Sequence, residues 1–244
     1  MEAARIFETG LAALLLAAAF VVGERTRILG RLLKPRSLTS FGGGMAAAYV
    51  FVHVMPELHG ARHAFTEAAA RALPYEGKAV YYLALAGFLS FYAIRHFHAR
   101  QLIASEGKPD RLDFQVQIGG FAAYAWLMGY LLLRGLEAHH AAIELYAVAM
   151  SFHCLAINRD LSDEYGKAYR RSGRFILAGM ALAGWASAAL LELPASLIPL
   201  LLAFLSGAVI MNSLILELPT EKDGRFWPFL TGGLLYGLIL LPLG

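Results

Sequence analysis

Charge is scarce in this chain. Of 244 residues, 16% are charged and 58% are hydrophobic, whereas an average soluble domain is about a quarter charged. Cysteine is nearly absent. Cys154 stands alone, which excludes an intramolecular disulfide framework and says nothing more about compartment. Common chemical signatures are missing as well. Neither G-x-S-x-G nor H-E-x-x-H occurs, so the familiar hydrolase motifs are excluded and the chain is not read as an enzyme. The glycines of GGGMAAA, IGGFAA and TGGLLYG precede no Lys-Ser/Thr pair and join no strand to a helix, so they form no phosphate loop. They are read as positions where helices approach closely. No basic patch exists apart from residues flanking apolar runs, and nucleic acid is not an expected partner.

What is present is a series of apolar runs. A bilayer crossing takes about 20 helical residues, and eight candidate spans follow: 6–23, 41–58, 79–97, 114–133, 143–165, 174–193, 196–217 and 226–243. The expected architecture is all-α, a single transmembrane domain over residues 1–244 with about eight helices. The first run is a retained span, because its positive cluster follows the apolar stretch instead of preceding it as in a secretory signal. The fifth is unusual: IELYAVAMSFHCLAI continues into NRDLSDEYGKAYRR. Such a polar half is tolerable only where it faces other helices, water or the interface.

Fifteen of the 21 Lys and Arg residues fall in the 1–2, 3–4, 5–6 and 7–8 connections or at the span ends that border them. Positive loops stay cytoplasmic, which places both termini outside, in agreement with an even span count. The location implied is a multi-pass protein of a bacterial inner (plasma) membrane. Phe41, Gly44 and Pro56 recur at a fixed offset as Phe204, Gly207 and Pro219. Since spans two and seven then run in opposite directions, this is the trace that an inverted-topology repeat would leave.

The candidate chemistry is metal binding. Borderline divalent ions such as zinc favour imidazole, thiolate and carboxylate. His153 and Asp160 share a helix face about two turns apart, and Asp160 and Glu164 are i, i+4 neighbours; Asn158 lies between them. Cys154 points about 100° away from His153, so the two do not serve one ion without distortion. The bland alternative has His153 hydrogen-bonded to a neighbouring helix and Asp160 paired with Arg159 or Arg170. His53 and Glu57, with His59 and His63 following, form a second candidate group that would collect cations at the outer mouth, or else polar residues resting in the headgroup region. Glu217 is a metal candidate by the repeat, or a cytoplasmic-edge carboxylate near Lys222. Asn212 is expected to hydrogen-bond between helices, and His139 and His140 to lie on the surface.

Taken in order, these segments resemble the ZIP (Zrt/Irt-like) metal transporters. FGGGMAAAYVFVHVMPEL is similar to that family's second span, FLSGAVIMNSLILELPTEK and FLTGGLLYGLILLPL to its seventh and eighth, and FHCLAINRDLSDEYGKAYRRSG stands where its fifth would be. The resemblance implies a ZIP-like bundle with both termini outside, a divalent metal ion such as zinc as substrate, no required cofactor, the lipid bilayer as surroundings and a possible homodimer. It also implies a His-Asn…Asp set in span four and a His-Glu-x-x-His-Glu set in span five. Here DFQVQIGGFAAYAWLMGYLLL offers Gln115 and Gln117 but no histidine, and no buried acid is expected in it. In span five, Cys154, Ile157 and Asn158 stand beside His153 in place of the other ligands. The family's histidine-rich cytoplasmic loop is reduced to His96 and His98. Three functions follow: divalent-metal transport or a selectivity variant of it; a non-transporting sensing, regulatory or assembly role on the same scaffold; and, with least support, a zinc-dependent membrane hydrolase.

Overall fold

The computed structural model describes residues 2–22, 35–56, 59, 78–105, 110–135, 140–194, 196–216 and 225–241. These are almost wholly helical, with no strand among them. The elements are α1 (Glu2–Val22), α2 (Pro35–Ala48), α3 (Lys78–Ala104), α4 (Arg111–Arg134), α5 (His140–Ala168), α6 (Arg174–Leu190), α7 (Leu197–Leu216) and α8 (Phe226–Leu240). Each falls on one of the eight expected apolar runs. By length and composition, three helical stretches could cross a membrane: Ala3–Val22, Arg111–Arg134 and the run Ile143–Leu190, which contains both α5 and α6. Leu197–Ser213 and Phe226–Leu240 are shorter apolar helices.

Local irregularities have sequence causes. A π-helical segment, Tyr49–Val54, extends α2 toward Pro56. Pro56 has no N–H, and its ring crowds the carbonyl four residues back, so the widened turn accommodates it. A second π-helical segment, Tyr169–Gly173, joins α5 to α6. Just before it, Gly166 adopts φ 51° and ψ −116°, a conformation that a residue with a Cβ rarely takes. The α4 start is capped by Asp110, whose side chain accepts the Asp113 N–H at 2.7 Å, filling one of the donors a helix start leaves open.

Three helix pairs share one device. In α2 and α8, a Cβ on Gly44 would collide with the Phe229 carbonyl, and one on Gly232 with the Phe41 carbonyl. In α3 and α7, Gly87 lies on the Phe204 carbonyl and Gly207 on that of Ala84. In α4 and α6, Gly129 lies on the Ala181 carbonyl and Gly184 on that of Trp126. Each glycine thus rests on the carbonyl three residues before its partner's glycine. Backbones this close gain dispersion and Cα–H···O contacts that no larger residue permits. Phe41/Gly44 and Phe204/Gly207, the core of the repeat seen in sequence, therefore do the same job in two different pairs. The IGGFAA pair fares differently: Gly120 faces the Ile94 side chain, while a Cβ on Gly119 would meet open space.

The pairs pack on one another throughout: α6 lies on both α4 and α1, α1 lies on α5, α2–α8 packs on α5 through α2 and less on α7, and α3–α7 packs on α4 through both of its helices. Contacts fix directions. Ile118 lies near Gly173 and Arg134 donates to the Ala188 carbonyl, so α4 and α6 run the same way. Tyr124 meets His153 and Tyr165 meets Asp113, so α5 runs opposite to α4. Phe91 packs on Tyr124 while His98 meets Asp113, which sets α3 against α4. Arg5 donates to the Leu133 carbonyl, and Trp185 to Thr9, setting α1 against α4 and α6. Phe41 meets Phe152 and Tyr49 meets Tyr146, so α2 opposes α5. Gly44 beside Phe229 and Gly237 near Ala48 and Val52 align α8 with α2. Thus α1, α3 and α5 run one way and α2, α4, α6 and α8 the other. Faces turned away from the core carry large apolar residues, such as Tyr82 (72% exposed) on α3 and Leu238 (63%) on α8.

Gly129→Ala and Gly207→Ala should each destabilise the fold by about 1–3 kcal/mol through overpacking. Gly119→Ala should stabilise it by roughly 0.5–1 kcal/mol, because alanine is the better helix former and has room there. Thermal unfolding of the three purified variants checks this, and equal effects at all three sites would show that the crossings are not the tight points.

Candidate functional site

Ionisable residues inside the bundle gather where α3, α4 and α5 meet. On α4, Asp113, Gln117, Phe121 and Tyr124 follow one another at i, i+4, i+8 and i+11, a single helix face. Arg95 and His98 of α3 lie three residues apart, on one face of their helix, and α5 brings His153, Asp160, Glu164 and Tyr165. Because α4 opposes both other helices, these residues order themselves in layers from the middle of the bundle to one end.

The middle layer is aromatic. Tyr124 and His153 share a 2.8 Å hydrogen bond, and both side chains are buried. The Phe91 ring packs edge-on against Tyr124 and Phe121, with centroids 5.2 and 5.4 Å apart. One layer on, the Arg95 guanidinium lies 5.9 Å above the Phe121 ring, within range of a cation–π attraction. Asn158, fully enclosed, accepts the Tyr169 hydroxyl proton at 2.9 Å.

The end layer is ionic. Arg95 donates to Asp160 at 2.5 Å, and its other terminal nitrogen lies 4.0 Å from Glu164. The His98 ring sits between two carboxylates: Nδ1 is 2.7 Å from Asp113 Oδ2, and Nε2 forms an ion-pair contact with Glu164 Oε1. Tyr165 donates to the same Asp113 oxygen at 2.8 Å. Asp113 has no solvent exposure and His98 only 6%. An isolated carboxylate is not buried as an anion without partners, so Asp113 depends on this pairing. Several atoms nearby have no hydrogen-bond partner among the described residues: Asp113 Oδ1, both amide atoms of Gln117, Glu164 Oε2 and Arg95 Nε. Gln117 is itself fully buried, one turn from Asp113, so the unsatisfied polar atoms cluster at this junction.

The residues proposed from sequence are thereby distributed, not gathered. His153 is bound to Tyr124, as its bland alternative anticipated. Asp160 pairs across helices with Arg95; the partners expected for it were Arg159 and Arg170, whereas Arg159 lies 3.8 Å from Asp163. Glu164 is engaged by His98 and Asn158 by Tyr169. His53 is buried, its ring 5.2 Å from that of Tyr49. Since α2 opposes α5 with Tyr49 at Tyr146 and Phe41 at Phe152, His53 lies roughly 15–20 Å from His153 along the bundle axis. Glu57, Glu217, His63 and His139 lie outside the described residues, while the His59 ring is 3.1 Å from the Tyr81 hydroxyl. Among the described residues no group of three or more His, Cys, Asp or Glu is disposed to hold a metal ion. Asp160 and Glu164 take part in the ion pairs of this junction, with Arg95 and His98.

Three sequence readings need correction. Asp113, the first residue of DFQVQIGG, is an acid at the start of span four and is completely buried. His98 is a junction residue and not the remnant of a loop. Asn212 donates to the Ala208 carbonyl of its own helix at 3.0 Å, so this bond does not cross between helices. The signal for the first two was present: Asp113 shares a helix face with Gln117 and Tyr124, and His98 with Arg95 and Phe91. Comparison of the chain with family models, curated proteins and solved structures finds no match.

Arg95→Gln should destabilise the bundle by about 2–3 kcal/mol. Breaking a buried pair costs ~3–5 kcal/mol, and the Asp160 side chain, one third exposed, recovers part of that. In a double-mutant cycle, adding Asp160→Asn should cost less than it does in the wild type, with a coupling of about 0.5–3 kcal/mol. Strict additivity of the two unfolding energies would show that the pair does not couple α3 to α5.

Proposed function

We propose that the chain is a multi-pass membrane protein on a ZIP-like scaffold that moves cations, divalent metal ions being the cargo class its sequence resemblance implies. The single observation that carries this is placement. The ionic junction of Arg95, His98, Asp113, Asp160 and Glu164 lies where α3, of the α3–α7 pair, meets α4 and α5. Ionisable groups at membrane depth are costly and mark ion paths or proton relays. Transport by alternating access needs such a seam between two bodies that rock against each other.

The membrane reading rests on the three helical stretches long and apolar enough to cross, on the alternating helix directions and on the outward apolar faces. The alternation of α1 to α6 supports a multi-pass chain, and the opposed directions of α1 and α8 support both termini on one side. The basic 3–4 and 5–6 connections then lie at the same end as the ionic junction, the cytoplasmic side under the positive-inside rule. A passing ion would meet the polar side chains of the α4–α5 seam, His153, Asn158, Asp160 and Glu164 among them.

A second reading, a non-transporting member of the same scaffold with a sensing, regulatory or assembly role, is favoured by one specific fact: His153, Asn158, Asp160 and Glu164 are each engaged by a protein side chain. Metal uptake into proteoliposomes separates the two. Transport predicts zinc-type flux in the wild type, reduced by His153→Ala and by Asp160→Ala. Absence of metal-dependent flux in folded wild-type protein would leave the non-transporting reading.

A further inference from the structure

The outward face of α3 changes character along its length. Tyr82, Leu85, Leu89, Tyr92, His96 and Arg100 follow at intervals of three or four residues, so they share one face, and all are exposed. Arg100 comes nine residues after the buried Phe91, which places the two side chains on opposite sides of the helix. The face is apolar or aromatic as far as Tyr92 and then turns basic. Because His98 meets Asp113 in the first turn of α4, Arg100 stands level with the start of that helix. His96 lies about 6 Å deeper along the axis than Arg100, and Tyr92 about 12 Å deeper. The Tyr92 and His96 rings are stacked, with centroids 6.0 Å apart and planes 21° from parallel, which restrains the imidazole beside the helix. Charge on this face has one sign. Lys78–Ala104 contains no Asp or Glu, and Leu197–Leu216, packed along it, has no charged residue. Arg95, on the inward face, is taken by Asp160. Arg100 and His96 form no ion pair or hydrogen bond among the described residues.

We infer that this end of α3 binds the headgroup of an anionic phospholipid, with Arg100 and a His96 N–H on the phosphate and the acyl chains along Tyr92, Leu89 and Leu85. The inference rests on the multi-pass reading above, under which Arg100 lies at the cytoplasmic interface, where anionic lipids concentrate. A guanidinium matches the geometry of phosphate oxygens. An imidazole, neutral or charged, always has at least one N–H to give, so the contact does not depend on titration. Arginine near a helix end also keeps its head in the interface while its stem covers apolar surface. His96, one turn deeper, would face hydrocarbon with unpaired polar atoms, which is costly; a headgroup drawn down by Arg100 removes that cost. A second copy of the chain is a poor occupant. A two-fold contact sets a patch against itself, so Arg100 and His96 would meet their own kind with no acid on α3 to answer them. The inward face of the same helix segment carries Arg95 and His98. The lipid therefore holds α3 from outside at the level where the ionic junction holds it from inside.

The test follows thermal unfolding of the full chain in nanodiscs of phosphatidylcholine, alone or mixed equally with phosphatidylglycerol. Wild-type Tm should be higher by about 2–4 °C with phosphatidylglycerol, the shift that one arginine–headgroup contact gives a chain of this size. Arg100→Gln and His96→Leu should each lose most of that shift while keeping the wild-type Tm in phosphatidylcholine alone. Arg171→Gln, at an exposed basic position between α5 and α6, should keep the shift. Equal Tm in the two compositions would overturn the proposal. So would a loss in Arg171→Gln as large as that in Arg100→Gln, which is the mark of diffuse attraction. Disulfide-linked dimers of Tyr92→Cys in the membrane would overturn it as well, by placing a second copy on this face; the native Cys154 is buried. Release of the chain from membranes by alkaline carbonate would refute the multi-pass reading and this site with it. An inserted chain indifferent to phosphatidylglycerol would refute the site alone.

Discussion

Everything in this bundle is set by how near two helix backbones can come. At three crossings a glycine of each helix rests on a carbonyl of the other, and a single methyl group at any of these points would force the axes apart. Where helices are surrounded by lipid, burial of apolar surface offers little net drive for association, and close van der Waals packing supplies it instead. The contacts are reciprocal, so one crossing fixes both the spacing and the relative height of its pair. Once α2–α8, α3–α7 and α4–α6 are fixed, the freedom left to the molecule lies between pairs.

That division explains where polar chemistry can reside. Backbones in direct contact leave no volume for a histidine or an arginine between them. The seam joining α3 to α4 and α5 has no such crossing, and side chains fill it: Phe91, Phe121 and Tyr124 in the middle, Arg95 and His98 with their carboxylates toward one end. Glycine-locked pairs move as units, whereas an interface built of rings and ion pairs has more than one workable packing. Rigidity inside the pairs and polarity between groups are two results of the same distribution of small residues.

The sequence disclosed the first of these better than the second. All eight helices lie on apolar runs, and the Phe-x-x-Gly recurrence marks two of the crossings. Gly87, Gly129 and Gly184 were passed over because a lone glycine in an apolar helix has no distinguishing neighbour; its meaning depends on which carbonyl faces it. His98 and Asp113 were missed for a different reason. Both lie where an apolar run gives way to a polar connection, and composition treats such residues as solvated. Burial there comes from α5, whose Tyr165 and Glu164 continue alongside after α3 and α4 have become polar. The polar half of span five is visible in the sequence, but the residues that pair with it sit at the ends of other spans, where nothing local distinguishes them. The His153 set was legible as residues but not as a site, since spacing along one helix cannot reveal that Tyr124 and Tyr169 on other segments take up its members.

Helix electrostatics then distinguishes the two carboxylates that face His98. Asp113 stands in the first turn of α4, where open N–H groups make a partial positive charge that favours an anion, and it also receives the Tyr165 hydroxyl. Glu164 stands just before Gly166, where the helical ladder is broken by a positive φ and carbonyls of the preceding turn present partial negative charge. An anion at such an end is disfavoured by about 0.3–1 kcal/mol. Asp160 lies further from that end and has Arg95 at short range. The two acids are therefore supported differently: Asp113 by its own helix start and the Tyr165 hydroxyl, and the acids of α5 by α3, whose Arg95 binds Asp160 and stands near Glu164. The cations of α3 are thus what lets α5 carry two carboxylates toward its kinked end, and α3 is tied to α5 at the point where the α5 backbone bends.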